Sequence, residues 1–210
     1  GIAWHHQHSV NGHLLVFTDD QVFLPKLGAT PYQQDSGMVA EHSVVSRFSV
    51  RTATRTSTVT RRDYDLKRPS LLLESHFTAE FTPELEDYRY PLLIETEKQG
   101  KRLTRQALER HRSDYERGEG ERDQATMRCG HLFELAEHHR KKHNDLWLLL
   151  SVCHVGRQPQ VLEESVISDA NNTDGFTQGY RNTFKVIPAE VVFRPPLPAP
   201  RRPLVCQTAR

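Results

Sequence analysis

Hydrophobic and polar positions alternate through the first twenty residues, and this alternation predicts a β-hairpin. Ile2, Trp4 and His6 fall at every second position, and the segment HLLVF returns after a polar break. An Asn-Gly pair readily takes the two positive-φ positions of a type I′ turn, so Asn11 and Gly12 are expected to form the turn.

A period of two returns after a long irregular stretch. Residues 19–37 are interrupted by Pro, Gly and Asp, which is typical of a long ordered loop. Residues 42–66 then predict a pair of strands, since β-branched side chains fit a pleated, half-buried surface. The alternation separates two sets of side chains, Phe48, Val50, Thr52 and Thr54 on one face and Arg47, Arg51 and Arg55 on the other. We expect the arginine face to be a solvated sheet face, although it is also a candidate polar interface.

A helical period begins near residue 101. The apolar or aromatic positions between 101 and 117 form one stripe, made of Leu103, Ala107, Leu108, His111 and Tyr115. This spacing predicts one amphipathic helix with a charged, solvated opposite face. Gly118 and Gly120 are expected to end it.

Strand patterns occupy the rest of the chain. Before the helix they cover SLLLESH and ELEDYRYPLL, which Pro91 ends; after it they cover ERDQATMRC, HLFELAE, DLWLLLSVCHV and YRNTFKVIPAEVVF. Eight to ten short strands with one helix predict a mainly β domain, a barrel or a sandwich. The tail RPPLPAPRRPLV is expected to be an extended linker that leads into a further domain.

Composition excludes several classes of protein. Of 210 residues, 28 are Lys or Arg and 27 are Asp or Glu, so no global charge favours nucleic acid or an anionic membrane. The apolar fraction of 36% indicates a modest core or a surface that another chain completes. No apolar run approaches the roughly 20 residues that span a bilayer. Three cysteines without CxxC spacing favour neither a disulfide framework nor a thiolate zinc site, and a reducing compartment is expected. The chain opens without Met or a signal pattern, as a fragment of a longer protein would.

Histidines in HLFELAEHHRKKHNDLW, residues 131–147, raise the possibility of a metal site. On a helix, His139 and His143 would share one face and could bind Zn²⁺. However, the HExxH pattern is absent and no third ligand stands at a characteristic distance. We favour two strands joined by a polar turn, with His138, His139 and His143 as solvated turn residues.

The histidines of the hairpin, His5, His6 and His8, are judged in the same way and are not expected to be ligands. Asp19 and Asp20 are adjacent, so on a strand their carboxylates would point to opposite faces. The GEGE sequence at 118–121 lacks the strand and Lys context of a phosphate loop.

Other enzymatic or binding chemistry is equally poorly supported. Cys153 and His154 are strand neighbours that face apart, and no GxSxG elbow surrounds a serine. A carbohydrate-binding sandwich would need exposed aromatic platforms, but Trp4 and Trp147 both lie in patterns that predict burial. We therefore predict no catalytic, cofactor-binding or metal-ligating residue.

Eight segments in order carry a resemblance to a known family. They are GIAWHHQHSVNGHLLVFTDD, PYQQDSG, VTRRDYDLKRP, LEDYRYP, RLTRQALERHR, GHLFEL, LLLSVCHVGRQP and YRNTFKVIPAEVVFRPP. Together they resemble the tail-hub-like region of the VgrG spike proteins of type VI secretion, which are related to phage late control D and baseplate hub proteins. The resemblance covers nearly the whole chain.

The resemblance implies an antiparallel β-barrel hub domain of phage-tail-hub type. Residues 1–20 would belong to a preceding hub subdomain, 21–194 would form the barrel domain, and 195–210 would lead into an OB domain. The implied role is structural and non-enzymatic: a homotrimer that joins the hexameric Hcp tube to a membrane-puncturing needle and delivers effectors.

Partners and location follow from the same resemblance. They are the Hcp tube and effector or adaptor proteins, with no nucleic acid and no stable membrane insertion, and with assembly in the bacterial cytoplasm before translocation into a target cell. A phage tail baseplate hub protein is the alternative, and a His-rich metallohydrolase is a weaker rival from another class.

Overall fold

A six-stranded sheet forms the centre of the protein. The computed structural model describes residues 2–34, 43–80, 84–92, 94–157 and 179–196. Their strands are β1 (Ala3–Ser9), β2 (Gly12–Thr18), β3 (Lys26–Pro31), β4 (Val45–Thr52), β5 (Thr58–Asp63), β6 (Leu73–Thr78), β7 (Glu86–Arg89), β8 (Glu116–Arg122), β9 (Leu132–Ala136), β10 (Leu146–Arg157) and β11 (Gly179–Pro188). Helix α1 covers Glu97–Arg112, and a 3₁₀ turn covers Lys141–His143.

The central sheet curls until its two edges touch. Its strand order is β3-β9-β10-β11-β8-β4. Just beyond β3, Tyr32 bridges Val45 of β4, and the amide of Gln33 donates to the Val45 carbonyl at 3.0 Å. The predicted mainly β fold with one helix is confirmed. The sheets are nevertheless mixed, because β3 pairs with β9 and β5 with β7 in parallel.

Aromatic side chains fill the inside of this curl. The buried cluster consists of Val45, Phe48, Met127, Phe133, Leu135, Trp147, Leu149, Phe184 and Val186. Strand β8 contributes Gly118 and Gly120 to the same face, and a Cβ on Gly120 would lie 2.4 Å from Phe184 Cζ. The glycines of the GEGE sequence therefore do not end the helix; they lie in a strand and make room for the aromatic core.

A second, smaller core lies on the opposite face of the same sheet. Leu132, Leu148 and Ile187 are buried there. Consecutive strand residues point to opposite faces, so β9 buries both Leu132 and Phe133, one in each core. Both side chains are buried because the sheet is covered on both faces.

Residues 53–115 form an insertion between two paired strands of the central sheet. Strands β4 and β8 pair with each other, and the Ala53 amide donates to the Tyr115 carbonyl at 2.8 Å where the insertion leaves and returns. Within it, helix α1 packs on a three-stranded sheet of order β6-β5-β7. The predicted pairing within residues 42–66 is wrong, because β4 and β5 belong to different sheets.

Helix α1 lies earlier than the predicted 101–117. The Thr96 hydroxyl accepts from the Gln99 amide at 3.3 Å as an N-cap, and the helix ends before Ser113. Its buried positions are Gly100 and Thr104, while Leu103 of the predicted apolar stripe is 37% exposed. Small residues are needed there, since a Cβ on Gly100 would lie 2.9 Å from Ser75 Oγ.

Other boundaries also differ from prediction. Strand β3 lies inside the expected loop at 19–37, and the strand expected over 121–129 ends at Arg122. Most of residues 168–179, the polar segment before YRNTFKVIPAEVVF, and residues 197–210 of the predicted linker lie outside the described residues.

Candidate functional site

The histidine-rich segment is a strand, a 3₁₀ turn and a strand, which confirms the favoured reading and excludes the helix that a metal site needed. Only His139 is exposed as predicted. His138 and His143 are 4% and 8% exposed, and the prediction that they are solvated is wrong. The ring of His138 packs 4.3 Å from Tyr32 and 4.7 Å from His143, measured between ring centroids.

Hydrogen bonds make this turn a structural unit. The Arg140 amide donates to His138 Nδ1 at 3.0 Å, so the proton of the neutral ring is on Nε2 and that nitrogen has no lone pair for a metal. The Asn144 side chain bonds both backbone groups of His138, at 2.7 and 3.0 Å. The Trp147 indole donates to the His143 carbonyl at 3.0 Å.

Burial lowers the pKa of both buried histidines. For His138 the charges of His139 and His143 add to the effect of burial, and for His143 the charge of Arg140 does. The turn therefore favours neutral imidazoles, which suits packing against aromatic rings.

The remaining residues singled out from sequence do not converge on one site. Asp19 and Asp20 are exposed, and Asp20 accepts from the Val22 amide at 3.0 Å within a turn. Cys153 is exposed with a free thiol, and His154 bonds the Tyr180 hydroxyl. In the part of the chain that the structure describes, no group of three or more His, Cys, Asp or Glu side chains is placed to hold a metal ion.

The three arginines of the alternating pattern have different environments. Arg47 pairs with Glu121 at 3.2 Å with its side chain 75% exposed, and Arg51 is exposed. Arg55 instead donates two hydrogen bonds to the Asp114 carboxylate, at 2.7 and 3.3 Å, where the insertion meets the central sheet. The first two lie on a solvated face as expected, and the third positions the insertion.

The outer face of the β1–β2 hairpin is an exposed apolar surface. Trp4 and Phe17 are register partners, and they are 61% and 65% exposed. Ile2 and Leu15 extend this surface, at 61% and 43% exposure. The prediction that Trp4 is buried is wrong, because the hairpin turns its other face to the protein. Trp147, at 2% exposure, is buried as predicted.

The hairpin turn also lies one residue earlier than predicted. Ser9 pairs with Gly12, so Val10 and Asn11 form the turn. Among the described residues, Glu137 is the one non-glycine with positive φ, and the type I′ assignment for Asn11 is therefore wrong.

His5 holds the inner face of the hairpin against the central sheet. It is 7% exposed, and its ring covers Gly130, where an added Cβ would lie 2.4 Å from Nδ1. Gly130 has φ of +71°, a conformation that favours glycine. Burial lowers the pKa of His5, and the charges of His131 and His6 add to that effect.

A cleft of about 680 Å³ is lined by residues of the hairpin, the central sheet and the exit segment, which we define as residues 189–194. Its walls include Trp4, His5, Leu24, Met127, Leu148, Leu150, Val152, Val192 and Phe193. Along one wall runs β10, which pairs with β9 through Leu146–Leu148, and the backbone of Leu149 bonds Gly130 at 3.0 Å and His131 at 2.9 Å. The cleft is therefore an apolar recess beside β10, which has no named strand partner on this side after Leu148 among the described residues.

The exit segment is tied down at both ends. The Gln21 amide group donates to the carbonyls of Ala189 and Val191, and its Oε1 accepts from the Phe193 amide at 3.2 Å. Arg194 bonds Glu109 of helix α1 at 2.9 Å, with both side chains largely buried. These contacts fix the position of the exit segment, and no sequence pattern indicated them.

A buried ion pair stabilises the insertion. Arg61 of β5 donates to Asp87 of β7 at 2.6 Å, and His111 of helix α1 lies 3.0 Å from the same carboxylate. Burial alone would raise the pKa of Asp87. The hydrogen bonds from Arg61 and His111 and the charges of Arg61 and Arg89 outweigh burial and hold the pKa far below its usual range.

Comparisons with known proteins show which family the chain belongs to. The family model described as phage tail baseplate hub (GPD) matches residues 1–160. The chain is 53% identical over 216 residues to the type VI secretion system spike protein VgrG4b of Pseudomonas aeruginosa, and 50% identical over 215 residues to VgrG5 of the same organism. Each comparison covers 100% of this chain and 27% of the relative, so the chain spans about a quarter of their length.

A solved structure shares the fold at low identity. The 43 kDa tail protein of prophage MuSo2 from Shewanella oneidensis matches 85% of this chain and 48% of its own, with a TM-score of 0.58 and 13% identity. The family match covers most of the chain, and the two similar relatives are both spike proteins. The chain therefore belongs to the phage tail baseplate hub (GPD) family, and the relatives it resembles there are VgrG spike proteins of type VI secretion.

Proposed function

We propose that this chain is the hub portion of a type VI secretion spike and acts by assembly. Three copies would form the hub and seat on the hexameric Hcp tube. Residues 1–20 would join a preceding subdomain, 21–194 would form the hub domain, and 195–210 would continue into an OB domain and a needle. The needle would puncture the target membrane and carry effectors with it.

The observation that carries the proposal is the 53% identity to VgrG4b across the entire chain. This identity covers the whole chain, and it is well above the 13% that accompanies the shared tail-protein fold. It favours a secretion spike over a phage tail baseplate hub protein, the alternative that the family model leaves open. Neighbouring genes test this choice, since secretion genes and tail genes cluster separately.

Physical features of the surface support an assembly role. A two-stranded hairpin alone is marginally stable in water, and here its outer face exposes Trp4 and Phe17 side by side. Exposed apolar patches on folded domains mark interaction sites. Aromatic residues are enriched in the buried centres of interfaces, so a neighbouring subunit or subdomain would cover this face.

The proposed role is non-enzymatic and needs no cofactor. The partners would be two further copies, the Hcp tube, and effector or adaptor proteins, without nucleic acid. Assembly would take place in the bacterial cytoplasm, followed by translocation. The described part of the chain contains no helix with the length and apolarity needed to cross a bilayer, and we propose no stable membrane insertion for this region.

The test is binding of the full-length gene product to assembled Hcp, with paired surface variants. Trp4→Ser combined with Phe17→Ser should abolish co-sedimentation with Hcp tubes and secretion of Hcp. Leu66→Ser is the matched control, because Leu66 is 86% exposed and belongs to the insertion rather than to the hairpin. Failure of the unsubstituted protein to bind Hcp would overturn the proposal. If the double variant binds Hcp as the wild type does, the hairpin face takes no part in the proposed assembly.

A further inference from the structure

The curl of the central sheet closes where the chain just beyond β3 meets β4. Tyr32 bridges Val45 there, and the Gln33 amide donates to the Val45 carbonyl at 3.0 Å; we call this contact the seam. The Tyr32 amide donates to the Ala136 carbonyl at 2.8 Å, at the end of β9. Residues 137–145, which we call the histidine turn, follow directly. Tyr32 therefore joins the seam to the start of the histidine turn.

The two buried rings of the histidine turn touch both sides of the seam. The ring centroid of His138 lies 4.3 Å from that of Tyr32 on the β3 side and 6.1 Å from that of Phe48 on β4. His143 lies 5.7 Å from the Phe48 centroid and 4.7 Å from that of His138. These separations are typical of packed aromatic rings. The turn therefore holds the two edges of the curl together through ring contacts.

Hydrogen bonding at the two rings requires them to be neutral. Nδ1 of His138 accepts from the Arg140 amide at 3.0 Å, so the single ring proton is on Nε2. A second proton would go to Nδ1 and place two N–H groups against each other, which breaks this bond. Nε2 of His138 and Nδ1 of His143 are buried and have no hydrogen-bond partner among the described residues. Neither nitrogen therefore has an acceptor that would stabilise a charged ring.

The groups around the two rings also disfavour protonation. The neighbours within the turn are basic: His139, Arg140 and Lys142. The neighbours from β3, β4 and β10 are uncharged aromatic side chains: Tyr32, Phe48 and Trp147. Glu116 of β8 favours a charged His143, but its carboxylate already pairs with Lys142 at 3.5 Å. Burial has the largest effect, and together with the nearby positive charges it holds both histidine pKa values below the ordinary one.

We propose that the histidine turn is an acid-sensitive contact: protonation of His138 and His143 releases residues 137–145 and opens the seam. The rest of the central sheet would stay paired through the longer registers of β10 with β11 and of β4 with β8. This inference does not depend on the proposed function.

The size of the effect follows from proton uptake. Release exposes both rings to water, where histidine titrates near pH 6.5, so opening takes up protons below that pH. Between pH 7.5 and 5.5 each ring would raise the opening constant by up to about 10-fold, and the two rings together by up to about 100-fold.

The experiment is hydrogen exchange of the full-length gene product at pH 7.5 and 5.5, followed by mass spectrometry of peptides. Protection is expressed relative to an unstructured chain at the same pH, since exchange itself depends on pH. Peptides that cover 137–145 and 26–34 report on the turn and the seam, and 182–187 of β11 is the reference. Protection of the first two should fall together by up to about 100-fold on acidification. It should be lower than in the reference and should not change in dilute urea, because a local opening exposes little surface.

Matched variants assign the protons. His138→Asn keeps an acceptor near the place of Nδ1 but does not titrate, and His143→Gln also removes a titrating ring. Each single variant should reduce the response to about 10-fold, and the double variant should abolish it. His139→Gln is the matched control, because His139 is exposed in the same turn, and it should keep the wild-type response.

Three results would each overturn the proposal. The first is a response to acid that persists in the double variant or, if that variant does not fold, in both single variants. The second is loss of protection in the turn without loss in the seam, or no loss in either. The third is a urea dependence equal to that of the reference peptide, which would indicate global unfolding.

Discussion

Gly120→Ala tests whether the glycines of β8 are required by the aromatic core. The added Cβ would lie 2.4 Å from Phe184 Cζ and 2.8 Å from the Arg47 carbonyl oxygen. Carbon atoms in contact are ordinarily about 3.5–4.0 Å apart, so the Phe184 ring would have to move by more than about 1 Å. Its neighbours limit this movement, since Phe133 and Phe48 have ring centroids 5.4 and 6.3 Å away.

The magnitude follows from two opposing effects. Overpacking of a well-packed core costs about 1–3 kcal/mol, and a backbone carbonyl in contact moves the expectation to the upper end. Replacing Gly by Ala returns about 0.4–1 kcal/mol by restricting the unfolded chain. The net loss in the free energy of unfolding is therefore about 2 kcal/mol, or a fall in Tm of about 4–8 °C for a chain of this size.

Gly156→Ala is the matched control for this prediction. Gly156 also lies within a strand, β10, but the nearest atom to an added Cβ is Tyr180 Cδ2 at 4.0 Å. The control should leave stability unchanged or raise it slightly. Urea unfolding followed by tryptophan fluorescence measures both, because Trp147 belongs to the same core. Equal stability of the two variants would refute the packing argument.

Three further predictions follow from buried polar groups. Asp87→Asn leaves Arg61 without its charge partner and should lower the free energy of unfolding by about 3–5 kcal/mol. Urea unfolding measures this loss, and a value below about 1 kcal/mol would contradict a buried ion pair. His138 and His143 have lowered pKa values in the folded protein, so just below the ordinary histidine pKa the unfolded chain binds more protons than the folded one. Their contribution to stability should therefore be full above about pH 6.5 and should fall as the pH drops toward their folded pKa values. Urea unfolding at pH 7.5 and 5.5 measures this, and the double variant with Gln at both positions should lose less stability on acidification. Asp87 does not contribute in this range, since its stabilisation is lost only as the pH falls below the ordinary aspartate pKa. Gln21→Ala should release the exit segment and speed its hydrogen exchange without lowering global stability. Unchanged exchange rates would contradict the conclusion that the Gln21 side chain holds this segment in place.

Strand positions were predictable where burial follows one simple period. The segment around Phe133 and the segment around Trp147 were recognised as strands because apolar runs bounded by polar residues are typical of buried strands. Their two-sided burial was not predicted, since periodicity does not reveal that a sheet is covered on both faces. The same limitation explains Trp4. The hairpin does alternate between two faces, but the face that is buried carries His5 and not Trp4.

Helix α1 shows how local patterns mislead about boundaries. The Leu103 stripe suggested a start near 101, but the N-cap at Thr96 and the packing of Gly100 determine where the helix begins and which side it buries. A close approach between helix and sheet requires small residues, which carry no hydrophobic signal. The pairing of β4 with β8 was equally invisible, because the sequence does not show that residues 53–115 leave and rejoin one sheet.

The features most relevant to assembly depend on long-range contacts. Gln21 reaches residues about 170 positions later, and Arg194 reaches the helix 85 positions earlier. Such contacts involve single polar side chains without a local motif. Resemblance predicted the family, whereas the contacts that hold the exit segment became visible only in three dimensions.

The central claim is that this chain is a hub module completed by copies of itself. The most direct test is the mass of the full-length gene product in solution, measured by light scattering after size-exclusion chromatography. We predict three times the mass of one chain, reduced to one chain mass by Trp4→Ser with Phe17→Ser. A stable monomer of the unsubstituted protein, unchanged by Hcp, would contradict the account.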